Sequence, residues 1–164
     1  MKKGHVAVLI IAMTAITWFA VARMLTTSRG RVVRVVQSIC RRIEKRDAAG
    51  LCLHLTEDYR DSNGHNRSSL RGLLSRALPY FSSISVTAEE LDIRIPEGDA
   101  AGVNGKATAP IATAEFDVKL VAYPRQRPKQ PPWRAQSRVR LRLRKDDGEW
   151  RVNEAEYRMP NWRP

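Results

Sequence analysis

The sequence predicts an α+β fold: three N-terminal helices packed on a strongly bent, bulged antiparallel sheet of about four strands. Two observations carry this expectation. Apolar residues recur every three or four positions as far as Leu78, then at every second position from Ile84 onward. The parity of that alternation also flips within the second half, which bends the strands and wraps them around the helices as a cone with an interior pocket. A charge-free hydrophobic segment, Val6 to Ala22, precedes the domain.

The chain has 164 residues, which divide into a membrane anchor or signal segment at 1–25, one α+β domain at 26–158 and a short tail at 159–164. The domain is large enough for a single core. Lys and Arg number 29 against 17 Asp and Glu, a net charge of +12 carried mostly by arginine. That balance suits an anionic lipid or acidic partner, and equally suits a surface kept soluble by repulsion. Nucleic acid is disfavoured, because no aromatic residues interleave with the arginines for base stacking.

Val6 to Ala22 is flanked by Lys2 and Lys3 on one side and Arg23 on the other. As a helix it would rise about 25 Å, slightly less than a hydrocarbon core; Met24 and Leu25 extend it once Arg23 snorkels. An uncleaved signal anchor is the first expectation, since Trp18 and Phe19 crowd the cleavage region. The alternative is a secreted chain cleaved after Ala22, where Ala20-Val21-Ala22 fits the small-x-small pattern. Arg23, Arg29, Arg31 and Arg34 blur the positive-inside rule. The basic N-terminal tail nonetheless places the domain outside the cytoplasm, on the periplasmic side of an inner membrane if bacterial.

Thr26, Thr27 or Ser28 caps a first helix reaching about Arg46, with Val32, Val35, Val36, Ile39, Cys40 and Ile43 on its apolar stripe. Asp47 caps a short second helix that buries Leu51 and Leu55. The polar stretch Thr56 to Asn66 holds at most a short strand at Asp58 to Arg60. A third helix, Arg67 to Leu78, presents Leu70, Leu73, Leu74 and Leu78, and Pro79 ends it. Beyond it, Ile84, Val86 and Ala88 are even, whereas Leu91, Ile93 and Ile95 are odd, so a bulge falls at Glu89-Glu90. Ala101 to Ala109 and Ala114 to Leu120 likewise differ in parity, which places a bulge or break near Pro110. A proline-rich basic loop, the strand Trp133 to Lys145, an Asp147-Gly148 turn and a last strand to about Arg158 complete the domain.

The segments EKRDAAGLCLHLTEDYRD, IRIPEGDAAGVNG and RVRLRLRKDDGEWRVNEAEY resemble the nuclear transport factor 2-like superfamily, also called SnoaL-like or cystatin-like α+β cones. The resemblance covers residues 27 to 158. It implies a pocketed cone used elsewhere by isomerases, dehydratases, protein-docking modules and non-catalytic accessory domains, so it does not give a function by itself. It also implies that the open sheet face can pair with a second copy, as a homodimer.

Three constellations stand out. Arg134, Arg138, Arg140, Arg142 and Arg144 share parity and line one sheet face. Of these, Arg138, Arg140, Arg142 and Arg144 are candidates for contact with an anionic surface; the alternative is a solvated face balanced by carboxylates on neighbouring strands. In the last hairpin, uninterrupted pairing would turn Glu154 and Glu156 inward beside Leu141 and Val139. Either a bulge after Val152 turns them out toward the arginines, or they are acid/base groups in a wet pocket. Tyr59, Tyr80 and Trp150 are candidates for ligand contact.

Metal and cofactor signals are absent. The loop around Gly64 lacks carboxylates where a calcium loop needs them, and His5, His54 and His65 are scattered. Cys40 and Cys52 are expected to be small buried hydrophobes, or one bridge between helices. The first expectation is a membrane-tethered, non-catalytic domain that binds a partner protein or small ligand. The alternatives are a small-pocket enzyme using Glu154 or Glu156 for proton transfer, and an assembly or anionic-surface module using the arginine stripe.

Overall fold

The computed structural model describes residues 27–96, 110–126 and 130–158. The hydrophobic segment Val6–Ala22, and with it the expected anchor or cleavage site, lies outside them. Among the described residues no helix is long and apolar enough to cross a membrane.

Helix α1 (Ser28–Glu44) starts where Thr27 Oγ1 accepts the Gly30 N–H at 3.2 Å. Its apolar stripe buries Val32 and Val36 completely. Asp47 caps α2 (Ala48–Cys52) by accepting the Gly50 N–H at 2.7 Å, while Arg42 holds its other oxygen at 2.7 Å. A Cβ at Gly50 would collide with that carboxylate, so the cap requires glycine there. Helix α3 (Arg67–Ala77) opens with a reciprocal capping box between Asn66 and Ser69 and passes into a 3-10 turn, Leu78–Tyr80, at Pro79.

The sheet has five strands rather than four, and it is mixed rather than purely antiparallel. Strand β1 (Leu55–Asp61) runs parallel to β5 (Glu149–Tyr157), and the order is β1-β5-β4-β3-β2, with β2 Phe81–Arg94, β3 Ile111–Pro124 and β4 Trp133–Asp146. The polar composition of LTEDYRD hid β1. It is an edge strand with Glu57, Asp58 and Arg60 exposed, and one of its buried positions is the carboxylate Asp61.

The expected bulges largely hold. Glu89 pairs with Asp117 but Asp92 pairs with Glu115, and Glu90 takes up the extra residue at φ 52°. Strand β3 begins at Ile111, directly after Pro110, and keeps unbroken register with β4. The flip expected from Ala101 to Ala109 lies outside the described residues. In the last hairpin Asp147 (φ 49°) and Gly148 (φ 82°) form the tight turn that sets Lys145 opposite Trp150 and Leu143 opposite Val152. Arg142 then pairs with Glu154, so Asn153 is the inserted residue. The inner face thus receives Val152, Ala155 and Tyr157, and the outer face receives Glu154 and Glu156.

The core lies between α1, α2 and the concave face of the sheet, where Leu143, Trp150, Val152 and Phe116 pack against Val32, Val36 and Leu51. Cys40 and Cys52 are free thiols, Cys52 buried and Cys40 half-buried, and no bridge joins the helices.

Candidate functional site

The bent sheet and the helices leave between them a cavity of about 290 Å³. Ile39, Cys40 and Ile43 of α1 and Leu70 and Leu74 of α3 form one side. Phe116, Val118 and Leu120 of β3, Val139 and Leu141 of β4 and Ala155 of β5 form the other. Small residues at Ala135 and Ala155 keep the concave face from filling with side chains. The wall is almost wholly apolar, so it favours a compact apolar guest.

Its polar groups are few: the phenols of Tyr59 and Tyr157, with Gln136, Ser137 and Arg158 also in the lining. Tyr59 is 2% exposed. Burial, reinforced by the negative charge of Asp61, pushes its hydroxyl well above the ordinary phenol range, so it is a neutral donor. No hydrogen bond ties that hydroxyl to another described residue. Tyr157 differs: its ring lines the cavity while its hydroxyl donates to Asp61 Oδ2 at 2.8 Å. Burial and that bond push it up to about 12.

Asp61 organises this end of the cone. Its side chain is fully shielded from solvent. Oδ1 accepts the backbone N–H of Asn63 at 3.0 Å and of His65 at 2.8 Å, and the His65 ring nitrogen Nδ1 lies 3.0 Å from Oδ2. Burial works against the charge, but the His65 and Asn63 backbone donors, Tyr157 and the His65 ring outweigh it and hold the carboxyl below the usual aspartate range. A second carboxylate, Glu44, bonds to the wall without lining the cavity. It accepts the backbone N–H of Val86, another lining residue, at 3.0 Å. The Cys40 thiol is pushed up by burial and by the charge of Glu44.

The residues singled out from the sequence separate. Tyr59 is in the cavity. Tyr80 is 64% exposed and outside it, and Trp150 belongs to the core and to a different groove. Glu154 and Glu156 face out, bonded to Arg142 at 2.9 Å and Arg140 at 3.1 Å. An acid/base role inside the cone is therefore withdrawn for both: the extra residue Asn153 reverses their parity. The candidates for anionic-surface contact, Arg138, Arg140, Arg142 and Arg144, all have carboxylate neighbours, as the solvated-face alternative expects. Arg138 lies 3.5 Å from Asp117, Arg140 also bonds Glu115 at 2.9 Å, and Arg144 grips Asp58 through two bonds of 2.9 Å. From Arg138 to Arg144 the stripe is a ladder of arginine–carboxylate pairs.

His54 bonds Ser38 at 2.8 Å and is held neutral, first by burial and then by Arg42 and Arg151. Among the described residues no three His, Cys, Asp or Glu side chains converge as a metal site. The sequence did not reveal the Asp61, His65 and Tyr157 cluster. The inward parity of Tyr157 and the turn at Gly64 were legible, but only the parallel pairing of β1 with β5 brings residues 61 and 157 together.

Neither a protein-family model nor a curated protein sequence matches the chain. Solved structures do share its fold. A scytalone dehydratase-like protein from Novosphingobium aromaticivorans superposes with TM-score 0.65 at 16% identity, covering 82% of this chain and 86% of that one. The hexachlorocyclohexane dehydrochlorinase LinA-type3 from Novosphingobium barchaimii gives 0.62 at 13% identity, covering 84% and 89%. A protein of unknown function with a cystatin-like fold from Nostoc punctiforme gives 0.55 at 15% identity, covering 77% and 86%. The chain therefore shares the cystatin-like α+β fold of these structures.

Proposed function

We propose that the cone is the reaction chamber of a small-pocket enzyme that transfers protons on a compact, largely apolar substrate, as isomerases and dehydratases do. One observation carries the reading: an apolar cavity holds the buried Tyr59 phenol, with Tyr157 beside it anchored to a shielded carboxylate. The dehydratase-like and dehydrochlorinase structures of the same fold add support, since both names denote elimination reactions. In this scheme Tyr59 donates a hydrogen bond to the substrate oxygen or leaving group as negative charge develops on it. Tyr157 accepts the substrate proton on its oxygen while passing its own proton to Asp61, and His65 holds Asp61 in place.

A second reading is non-catalytic binding of the same class of ligand. It is favoured by the lining itself, which among the described residues contains no carboxylate and no imidazole. Proton NMR in deuterium oxide separates the two, using compact alicyclic ketones, alcohols and halides as probes. Exchange of an activated C–H, or release of water or halide, lost in Tyr59→Phe and Asp61→Asn while binding persists, supports the enzyme. A ligand that binds but neither exchanges nor eliminates leaves the binding reading.

We place the domain on a membrane through Val6–Ala22, on sequence grounds alone. Recovery of the intact chain in the carbonate-washed membrane pellet supports attachment. A soluble mature chain beginning at Arg23 replaces it with the secreted form.

A further inference from the structure

The three helices are held to different depths. Helix α1 buries Val32 and Val36, and four of the five residues of α2 are buried. Helix α3, with eleven residues, buries none. Its inner side chains, Leu70 and Leu74, are half-buried and line the cavity. The main neighbours of α3 are α2, β1 and the 3-10 turn that follows it, whereas the β3 and β4 residues of the opposite wall lie across the empty space.

The bonds that α3 makes are weak or local. Cys52 Sγ, a weak thiol donor, reaches the Arg67 carbonyl at 3.9 Å. The Ser69 hydroxyl bonds to Asn66, and Arg76 donates to the Gly72 carbonyl one turn earlier. Only the ends are firmly fixed: His65, just before the helix, is bonded to Asp61, and Leu78, just after it, is buried. Between these anchors, in mid-helix, stands Gly72. A Cβ there would meet nothing within 4 Å, so packing does not require glycine, and glycine in a helix interior weakens it relative to alanine.

We propose that α3 is the movable wall of the cone, swinging out between its two anchors to admit a compact apolar guest beneath Leu70 and Leu74. The proposal rests on the cavity being the guest site, catalytic or not. An element with few buried contacts opens at lower free energy than the body of the domain. The other walls cannot give way in this manner. Unbroken β3–β4 pairing fixes Phe116, Val118, Val139 and Leu141, and the buried valines fix α1. A bound guest covers the two leucines with apolar surface, so it should draw the wall closed.

Hydrogen exchange read by mass spectrometry tests this on the full chain in phosphatidylcholine nanodiscs, with cyclohexanone as the guest. Without it, the amides of residues 70–76 should be on the order of tenfold less protected than those of residues 34–40 in α1. Saturating cyclohexanone should slow exchange in α3 and leave α1 unchanged. Gly72→Ala, which adds a methyl group in open space, should slow α3 exchange about fivefold and slow cyclohexanone uptake, followed by NMR, in step with it. Protection of α3 equal to that of α1 overturns the proposal whether or not the ketone binds. So does a wild-type chain that takes up no cyclohexanone, bound cyclohexanone that leaves α3 exchange unchanged, or a Gly72→Ala variant that slows exchange without slowing uptake. Gating seen with no C–H exchange or elimination supports the movable wall and removes only the enzyme reading.

Discussion

The Tyr157 hydroxyl donates to Asp61 across 2.8 Å, joining two residues 96 positions apart in the chain. That bond joins the Ser62 contacts in fastening the last strand to the loop that leads into α3, and the rest of the Asp61 shell is the backbone and the His65 ring of that same loop. The strength of that fastening is open to measurement.

Replacing Asp61 with Asn keeps the shape but removes the charge that its donors serve. Hydrogen bonds to a buried charged group are each worth about 1.5–3 kcal/mol. Urea unfolding should therefore show Asp61→Asn destabilised by about 2 kcal/mol or more at neutral pH. The carboxyl sits below its ordinary 3.8 in the folded state, so the unfolded chain takes up protons first as pH falls. The stabilisation is then complete above that value and fades as pH drops through the folded one. The gap between wild type and variant should narrow only below about pH 4. A gap that is flat down to acid unfolding removes Asp61 as the cause.

Enlarging a side chain should be tolerated where the cone is empty and resisted where it is full. Val139 lines the cavity, whereas Val32 is 0% exposed and is not among the lining residues. Val139→Phe should cost less than about 1 kcal/mol and abolish binding of compact apolar ligands, while Val32→Phe should cost about 1–3 kcal/mol or more. Thermal melts combined with a ligand-detected NMR screen separate the cases. Undiminished ligand binding in Val139→Phe would show that the cavity is not the site.

Glu90 holds a left-handed backbone, φ 52°, at the β2 bulge, and its pairing with Arg138 is long at 3.8 Å. Glycine adopts that conformation without a Cβ penalty, so Glu90→Gly should stabilise the domain by up to about 1 kcal/mol. Glu90→Val should destabilise it, because a branched side chain fits that region worst. Chemical denaturation of the two variants reads both signs. A Glu90→Gly variant weaker than Glu90→Val would mean the bulge is not strained.

The bond between Arg142 and Glu154 spans 2.9 Å on a face where both side chains remain substantially exposed. Arg142→Gln should therefore change stability by no more than about 1 kcal/mol, with a difference that shrinks as salt is added. Titration with anionic vesicles at low salt should show no change, since that arginine already has a carboxylate partner. Loss of vesicle binding in Arg142→Gln would restore the sheet face as an anionic contact.

Period and parity made most of the scaffold readable before any coordinates. Two caps, the bulge at Glu90, the Asp147-Gly148 turn and the inserted residue after Val152 all follow from local rules acting on neighbours in sequence. Strand β1 was legible only in part, because an edge strand can keep Glu57, Asp58 and Arg60 in water and so lacks a hydrophobic signature. The cluster around Asp61 was illegible for the same reason, since its members meet only through that strand.

The parallel seam between Leu55 and Val152 also sets a timetable. While the chain is synthesised, everything before Glu149 is present with one wall of the vessel missing. The stretch around residue 55 must wait, its backbone partners unborn, until β5 arrives. Closure is then a long-range, late event, of the kind that is slow and exposed to misassembly. A truncation that removes the last strand should therefore leave an unfinished chain rather than a smaller cone.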